Sequence, residues 1–583
     1  MTPEASQFDT CLSLLWPSAS GPDPAWHLPG EVVQDLGLNS IVAAMSPGPA
    51  HREALEAVLY SLCPDPAVIA YRQEVLDDLL AAPALAEALG ALLPALDELA
   101  LFTARPTSAE SSLQEVTRRA GELELLVGCV ERLEAAFEAA PQQLRSAGLA
   151  ALRAEVEARR ADPAFQRLAA ALPALLAELR SSASVTIGLN LDPYLRPEEA
   201  LLLAVHPTRF TESGLLARLL GKVAQGRGIG PLHTLPMLTE SSGIVGGAGA
   251  PLAGPTRRAE PMLEPLFRDL SRVLEKVSRP VAQELRLHAA HSGRALVALR
   301  PGIIFFVYAV ALVRRVAAAG LPLCRPCIAP VDERVCEVTD LYNLQLALHL
   351  GAQEPGDLTE RVVTSDSIIG TQGRIVILTG PNQGGKTTYL QAVGQAHALA
   401  QAGLRIPGRQ ARISPADAIF THFPVEERLE RGTGRLGDEA RRVRAIFEAV
   451  TRHSLVLLNE TFATTSAGEG LYLARDVVRL LRQLGARAIY TTHLHELASD
   501  LEQLNAETPG ESAVVSMVAL VVPVGAAEAG ETGKRFQIVL RPPVGRSYAE
   551  QIAARYGIAH AQLAELLQRR GELPAAEGTE LDG

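Results

Sequence analysis

Apolar positions in the first two-thirds of the chain recur mostly at helical spacings, whereas those in the last third come in short unbroken runs. Residues 1–107 alternate Pro-rich joints with short apolar segments such as 53–63 and 75–80. Residues 108–182 carry the pattern of long amphipathic helices. Breaks are expected at Pro141, Pro163 and Pro173, because proline removes a backbone donor and crowds the preceding turn. The period then changes. Residues 184–191 (SVTIGLNL) are rich in strand formers, and 200–205 form a second short apolar run. Glycine and proline dominate 226–255, which reads as a long loop. A second long helix is expected from Glu260. There Leu263, Leu266, Phe267, Leu270, Leu274, Val277, Val281 and Leu285 form one stripe at spacings of three and four. Two helical arms flanking a small strand-and-loop insertion predict levers that carry a tip.

Beyond residue 355 the runs 374–379 (RIVILT), 455–458 (LVLL) and 488–492 (AIYTT) read as strands buried on both faces. Helical patterns lie between them, which predicts a mainly parallel sheet. The fold class expected is therefore multidomain. A mainly helical region with a small β-containing insertion precedes an α/β domain.

Composition narrows this picture. The 583 residues allow about three or four domains. Aromatics make up only 4%, so Leu, Ala and Val must fill the core, which favours helices. The net charge of −12 argues against generic coating of nucleic acid but permits a local basic stripe. The most apolar stretch, residues 301–313, is shorter than the roughly 20 residues a membrane span needs, so a buried helix is expected there and no membrane partner. The start, Met1-Thr-Pro-Glu4, lacks the features of a secretory signal, and the six cysteines suit a reducing compartment. A cytoplasmic protein is expected. Cys324, Cys327, Cys336 and His349 supply four donors of zinc-binding type. The alternative is that the cysteines are small apolar residues packed in a connector marked by Pro326 and Pro330.

The sharpest chemical signal is Gly380, Pro381, Asn382, Gln383, Gly384, Gly385, Lys386 and Thr387, followed by Thr388. It fits the phosphate-loop pattern and lies between a strand and a helix. Glycines let backbone N–H groups turn toward phosphates, Lys386 reaches the β and γ oxygens, and Thr387 offers a hydroxyl to Mg2+. The helix that follows points its positive end at the same anion. Downstream, the strand LVLL ends in Asn459 and Glu460. Glu460 is placed to orient an attacking water, and Asn459 stands where an acidic residue usually helps to hold Mg2+. His493, at the end of the next strand, is placed to hydrogen-bond a γ-phosphate. ATP and Mg2+ are the cofactors expected.

These motifs resemble the MutS family. TGPNQGGKTT at 379–388 is similar to the family's TGPNMGGKST. NETFATTS at 459–466 sits where the family has DEIGRGTS, and THLHEL at 492–497 resembles its THYFEL. The stretches 402–407 and 413–422 (ISPADAIFTH) resemble the segment that ends in IFTR, and 545–553 (GRSYAEQIA) resembles the family's SYG-x-x-VA segment. The resemblance implies an ATPase domain of the P-loop, ABC-like type over 355–540. It also implies a helix-turn-helix dimerisation segment over 541–583. By layout, 1–107 corresponds to a core-like region, 108–182 to first lever helices, 183–258 to a clamp-like insertion, and 259–354 to a second lever and connector. The family's signature segment corresponds to Gly434, Arg435, Leu436, Gly437, Asp438, Glu439 and Ala440. Gly434 stands at the signature serine, and Val362 stands where the family has an aromatic residue against adenine. By this layout the family's mismatch-reading domain is not expected ahead of the helical region, and no nuclease tail is expected after residue 570.

The resemblance thus implies an ATP-hydrolysing homodimer in which each signature segment, Gly434, Arg435 and Gly437 included, works in trans on the partner's nucleotide. Its long arms would clamp DNA of unusual shape. Two alternatives stay open: a clamp on structured RNA or the ribosome, and a nucleotide-binding scaffold with little hydrolysis, which Asn459 favours.

Overall fold

The computed structural model describes residues 12–17, 27–46, 48–103, 112–140, 144–180, 184–191, 193–194, 197–206, 283–285, 293–370, 372–381, 384–424, 435–463, 465–523, 534–543, 557–570 and 572. Most of the expected second lever stripe, the glycine-rich loop 226–255 and the SYG-like segment lie outside the described residues. The chain divides into two units. One comprises Met1–Asp9, Pro94–Glu134 and Glu155–Val297, and the other Thr10–Leu93, Ala135–Ala154 and Ala298–Gly583.

The first unit contains helical segments and a hairpin. Strands β1 (Ser184–Leu191) and β2 (Pro197–His206) pair antiparallel, and Thr186 Oγ1 lies 2.7 Å from His206 Nε2 across the pair. Among its helices, Pro163–Arg180 starts at Pro163, where the missing N–H costs nothing. It also runs through Pro173, contrary to the expected break. Phe165, Leu168 and Leu172 are buried along this helix, and that packing offsets the one lost hydrogen bond. Glu122, nearly buried, pairs with Arg119 at 2.6 Å and accepts from Gly293 N at 3.1 Å.

The second unit holds the α/β domain. Its strands are β3 (Leu323–Cys324), β4 (Cys327–Ile328), β5 (Cys336–Leu341), β6 (Ser365–Ile369), β7 (Ile375–Thr379), β8 (Ile406–Pro407), β9 (Gln410–Ile413), β10 (Ile419–His422), β11 (Leu455–Asn459), β12 (Arg487–Thr491), β13 (Val514–Pro523) and β14 (Lys534–Leu540). The main sheet has the order β10-β11-β12-β7-β13-β14. Its first five strands are parallel, and β14 closes the edge antiparallel to β13. A four-stranded sheet, β4-β9-β5-β6, and the short pair β3-β8 accompany it.

Alternation along the central strands explains their unbroken apolar character. Ile375, Ile377, Val456, Leu458, Ala488 and Tyr490 join a core built with Val443, Ile446, Ala474, Val478, Leu481 and Leu497 from the covering helices. The intervening Val376, Leu378, Leu457 and Ile489 are equally buried and serve the opposite face. The helix Lys386–Gln401, buried over most of its length, packs on that face. Its Gly394 permits a close approach: a Cβ there would stand 2.3 Å from Leu36 Cδ2 and 3.1 Å from Leu457 Cδ1.

Residues from the N-terminal part of the chain complete this unit. Helix Pro66–Ala81 is capped by Asp65, whose carboxylate accepts from Ala67 N at 2.8 Å, with Pro66 at its first position. Glutamines of Lys386–Gln401 reach back to this part. Gln391 Nε2 donates to Asp35 O at 2.9 Å, Gln395 Nε2 to Leu36 O at 2.9 Å, and Gln401 Nε2 to Cys63 O at 3.1 Å.

The apolar stretch 301–313 belongs to a longer helix than its composition suggests, Arg294–Ala318, which is long and apolar enough to cross a membrane. Ile303, Ile304, Phe305, Phe306 and Ala309 on it are buried in the protein's own core. Cys324, Cys327 and Cys336 sit on three different strands, and His349 lies on helix Leu344–Gln353. Among the described residues no three His, Cys, Asp or Glu side chains form a metal-binding group, so the zinc alternative has no geometry behind it. Burial pushes the Cys324 and Cys336 thiols up to about 11, as expected for packed, protonated cysteines.

Candidate functional site

Four segments meet at the carboxyl ends of the parallel strands. The loop after β7 leads into helix Lys386–Gln401, and Gly385 at its N-cap holds left-handed backbone (φ 80°). Gly380 has φ 150°, and a Cβ there would lie 2.6 Å from that of Ala519, so a side chain would be strained on both counts. Gly384 N donates to Pro381 O at 3.1 Å, which curls the loop over the helix start. Asn382 and Gln383 lie outside the described residues. Thr388 sits in the first helical turn, and its carbonyl accepts from Asn343 Nδ2 at 3.2 Å.

Lys386 is buried, and its ammonium is held within the loop, 3.0 Å from Gly380 O and 2.9 Å from Pro381 O. Burial lowers its pKa, and the neighbouring Glu460 carboxylate opposes that shift only in part. Lys386 Nζ is 3.5 Å from His493 Nε2 and 3.8 Å from Glu460 Oε1. His493 Nε2 and Glu460 Oε1 are 2.8 Å apart. The loop lysine, the acid after β11 and the histidine after β12 therefore converge on one point. The hydrogen bond from His493 is the main cause that holds Glu460 below its ordinary carboxylate range, with the charges of His493 and Lys386 adding to it. Glu460 is thus an ionised acceptor at neutral pH, able to orient a water molecule.

Glu460 and Phe462 both hold left-handed backbone, with φ 51° and 64°. Such a conformation costs a residue with a side chain roughly 1–2 kcal/mol. Strain of this kind concentrates at functional turns. Beside this turn, Asn459 ends β11. Its Oδ1 accepts from the Thr491 hydroxyl at 2.7 Å, and its Nδ2 donates to Thr387 Oγ1 at 3.2 Å.

The donors fit a polyphosphate: a glycine loop, a buried ammonium and a helix N-terminus face the same space. For a hard cation, Thr387 Oγ1 and Asn459 lie together, but this pair supplies no negative charge. Gly434 and the side chain of Arg435 lie outside the described residues. Gly437 is exposed in the helix Arg435–Ala449. Val362 is buried, with its N–H bonded to Leu358 O, so it does not provide an open stacking surface.

Thr491, Tyr490, His422 and Glu439 also shape the site, and sequence reasoning did not single them out. Thr491 and Tyr490 precede His493 on the strand already read as β12, which was the available signal. Glu439 lies within the signature-like segment.

A parallel sheet with a glycine loop feeding a buried lysine into the next helix defines a P-loop domain. Comparison with known proteins specifies which kind. Residues 376–568 match the model for MutS domain V, and residues 64–319 match that for the MutS2 N-terminal domain. The chain belongs to the MutS family. Over 230 residues it is 32% identical to the DNA mismatch repair protein MutS of Chlorobium limicola, a match covering 38% of this chain and 25% of that protein. Over 222 residues it is 33% identical to the endonuclease MutS2 of Thermomicrobium roseum, covering 38% and 26%. The DNA mismatch repair protein Msh6 of Gallus gallus is 31% identical over 189 residues, covering 31% and 14%. The matched stretch spans about a quarter or less of these relatives.

Proposed function

We propose that the chain is an ATP-hydrolysing clamp on DNA, working as a homodimer in the cytoplasm. The observation that carries this reading is the convergence of Lys386, Glu460 and His493 at the mouth of the phosphate loop. Lys386 and the amides of Gly384 and Gly385 bind the phosphates. Glu460 orients the attacking water and accepts from it, and His493 fixes the Glu460 carboxylate and faces the γ-phosphate. Thr387, with Asn459 beside it, would hold Mg2+, which would supply positive charge beside the transferred phosphoryl group. Closure of two such domains, each with Gly434, Arg435 and Gly437 over the partner's nucleotide, sets the angle of the helical arms. The C-terminal segment 541–583 joins the subunits, and the clamp-like region 183–258 grips DNA of unusual shape through its backbone and geometry. The names of the relatives, DNA mismatch repair proteins and an endonuclease, support DNA as the polymer.

The test combines turnover and binding. Lys386→Ala is expected to abolish nucleotide binding. Glu460→Gln is expected to bind ATP normally and lose turnover by about a hundredfold or more. With ATP present, Glu460→Gln should retain branched DNA over plain duplex at one stated salt concentration. Preferential retention of ribosomes or structured RNA would replace the DNA reading, and wild-type turnover in Lys386→Ala would refute the site.

A further inference from the structure

The turn that presents Glu460 is held from several sides. Glu460 N–H donates to Thr491 O at 3.0 Å, and the Tyr490 hydroxyl donates to Thr461 O at 2.6 Å. Thr461 Oγ1 and His422 Nδ1 lie 2.9 Å apart. These partners belong to β10 and β12, which flank β11, so the sheet itself sets their positions. A further contact comes from outside the sheet: Phe462 N–H donates to Glu439 Oε2 at 2.8 Å. Glu439 stands one turn into the helix Arg435–Ala449. Phe462 is the second left-handed residue of the turn, and its ring is buried in the core below. Its carbonyl is crowded as well, since a Cβ on Gly470 would come within 2.8 Å of it.

We propose that Glu439 is a positioning residue for hydrolysis, holding through the Phe462 N–H the turn that aims Glu460 at the phosphate loop. A left-handed backbone persists only where its surroundings impose it. Without the acceptor, the Phe462 N–H loses its partner beside the core, and the turn relaxes toward ordinary backbone. Glu460, two residues away, moves with it. The contact also ties the start of the signature-like helix to the hydrolytic residue of the same subunit. A shift of that helix therefore reaches Glu460 through one hydrogen bond. The inference rests on Glu460 as the water-orienting group.

Glu439→Ala, Glu439→Gln and Gly470→Ala test it beside wild type, with kcat, KM for ATP, affinity for a non-hydrolysable ATP analogue and thermal midpoint all measured. Glu439→Ala is expected to lower kcat by about tenfold or more while KM and analogue affinity stay within about twofold. Glu439→Gln keeps an acceptor oxygen and is expected to recover most of the rate. Gly470→Ala presses on the Phe462 carbonyl and is expected to lower kcat in the same way, which provides a second route if Glu439→Ala folds poorly. Wild-type kcat in Glu439→Ala, or a Gln variant as slow as the Ala variant, overturns the proposal. If wild type itself shows no turnover while binding the analogue, the hydrolysis reading fails and this inference falls with it.

Discussion

The Thr491 hydroxyl donates to Asn459 Oδ1 at 2.7 Å, and Thr387 Oγ1 lies against the same amide, 3.2 Å from Nδ2 and 3.4 Å from Oδ1. An amide N–H directed at Thr387 Oγ1 occupies a lone pair that a hard cation would use. An aspartate at 459 would accept from both hydroxyls, free that lone pair and add a negative charge. Asn459→Asp is therefore expected to lower the Mg2+ concentration for half-maximal analogue binding by about tenfold, the equivalent of ~1.4 kcal/mol. An unchanged Mg2+ titration would show that residue 459 does not act on the metal.

The Glu460–His493 bond sets a pH dependence. The folded pKa of Glu460 lies below its ordinary value, chiefly because His493 donates to it. A carboxylate shifted in this direction stabilises the fold above its unfolded pKa, and that contribution is lost as pH falls through the lower, folded value. The acid limb of kcat/KM should accordingly lie below the usual carboxylate range of about 4.3. His493→Ala removes the main cause, so its acid limb should move up toward that range. Coincident acid limbs in the two proteins would contradict this.

Arg435 is proposed to act across the dimer, beside the position of the family's signature serine. Mixing tests this. Arg435→Ala and Glu460→Gln subunits should each be slow alone. A mixed dimer would carry both lesions on one composite site and leave the other intact, so each mixed dimer should regain one site's rate, about half that of the wild-type dimer. No gain, with mixed dimers demonstrated, would leave Arg435 an ordinary surface charge.

Much of the α/β domain was legible because its signals are local. The phosphate loop is contiguous, and β7, β11 and β12 announce themselves as short apolar runs buried on both faces. What escaped depends on partners distant in sequence. Gln391, Gln395 and Gln401 look like the polar face of a helix, yet they bond Asp35, Leu36 and Cys63, more than 300 positions away. The Thr491–Asn459–Thr387 chain joins two strand ends to the first turn of a helix and has no periodicity to betray it. Pro173 misled for another reason. Proline's local cost was read correctly, but the buried side chains around it outweigh that cost.

Arg487 makes the same point in energetic terms. It opens β12 and looks from sequence like a strand-end charge, yet it is fully buried. Its guanidinium donates to Ser414 O at 2.6 Å, His453 O at 2.7 Å, Pro415 O at 3.1 Å and Val335 O at 3.4 Å. It also meets His397 Nε2 at 3.3 Å. Burial brings Arg487 down to about 10, still well above neutral pH, so the group stays charged. Burial first, and then this charge, hold His397 down at about 3. The neutral ring can then accept from Arg487 through Nε2. Because His397 binds its proton more weakly when folded, stability should be full above about 6.5 and decline as pH falls toward 3. Replacing Arg487 leaves several buried carbonyls without a donor, each costing about 1–3 kcal/mol. Arg487→Met is therefore expected to destabilise the domain by at least about 3 kcal/mol. Arg487 and Thr491 lie at opposite ends of β12, so the folded fraction should still bind ATP analogue with wild-type affinity. Hydrogen exchange of the β11 and β12 amides reads the first effect and analogue titration the second. Wild-type protection of both strands in Arg487→Met would mean that the carbonyls around it find other partners.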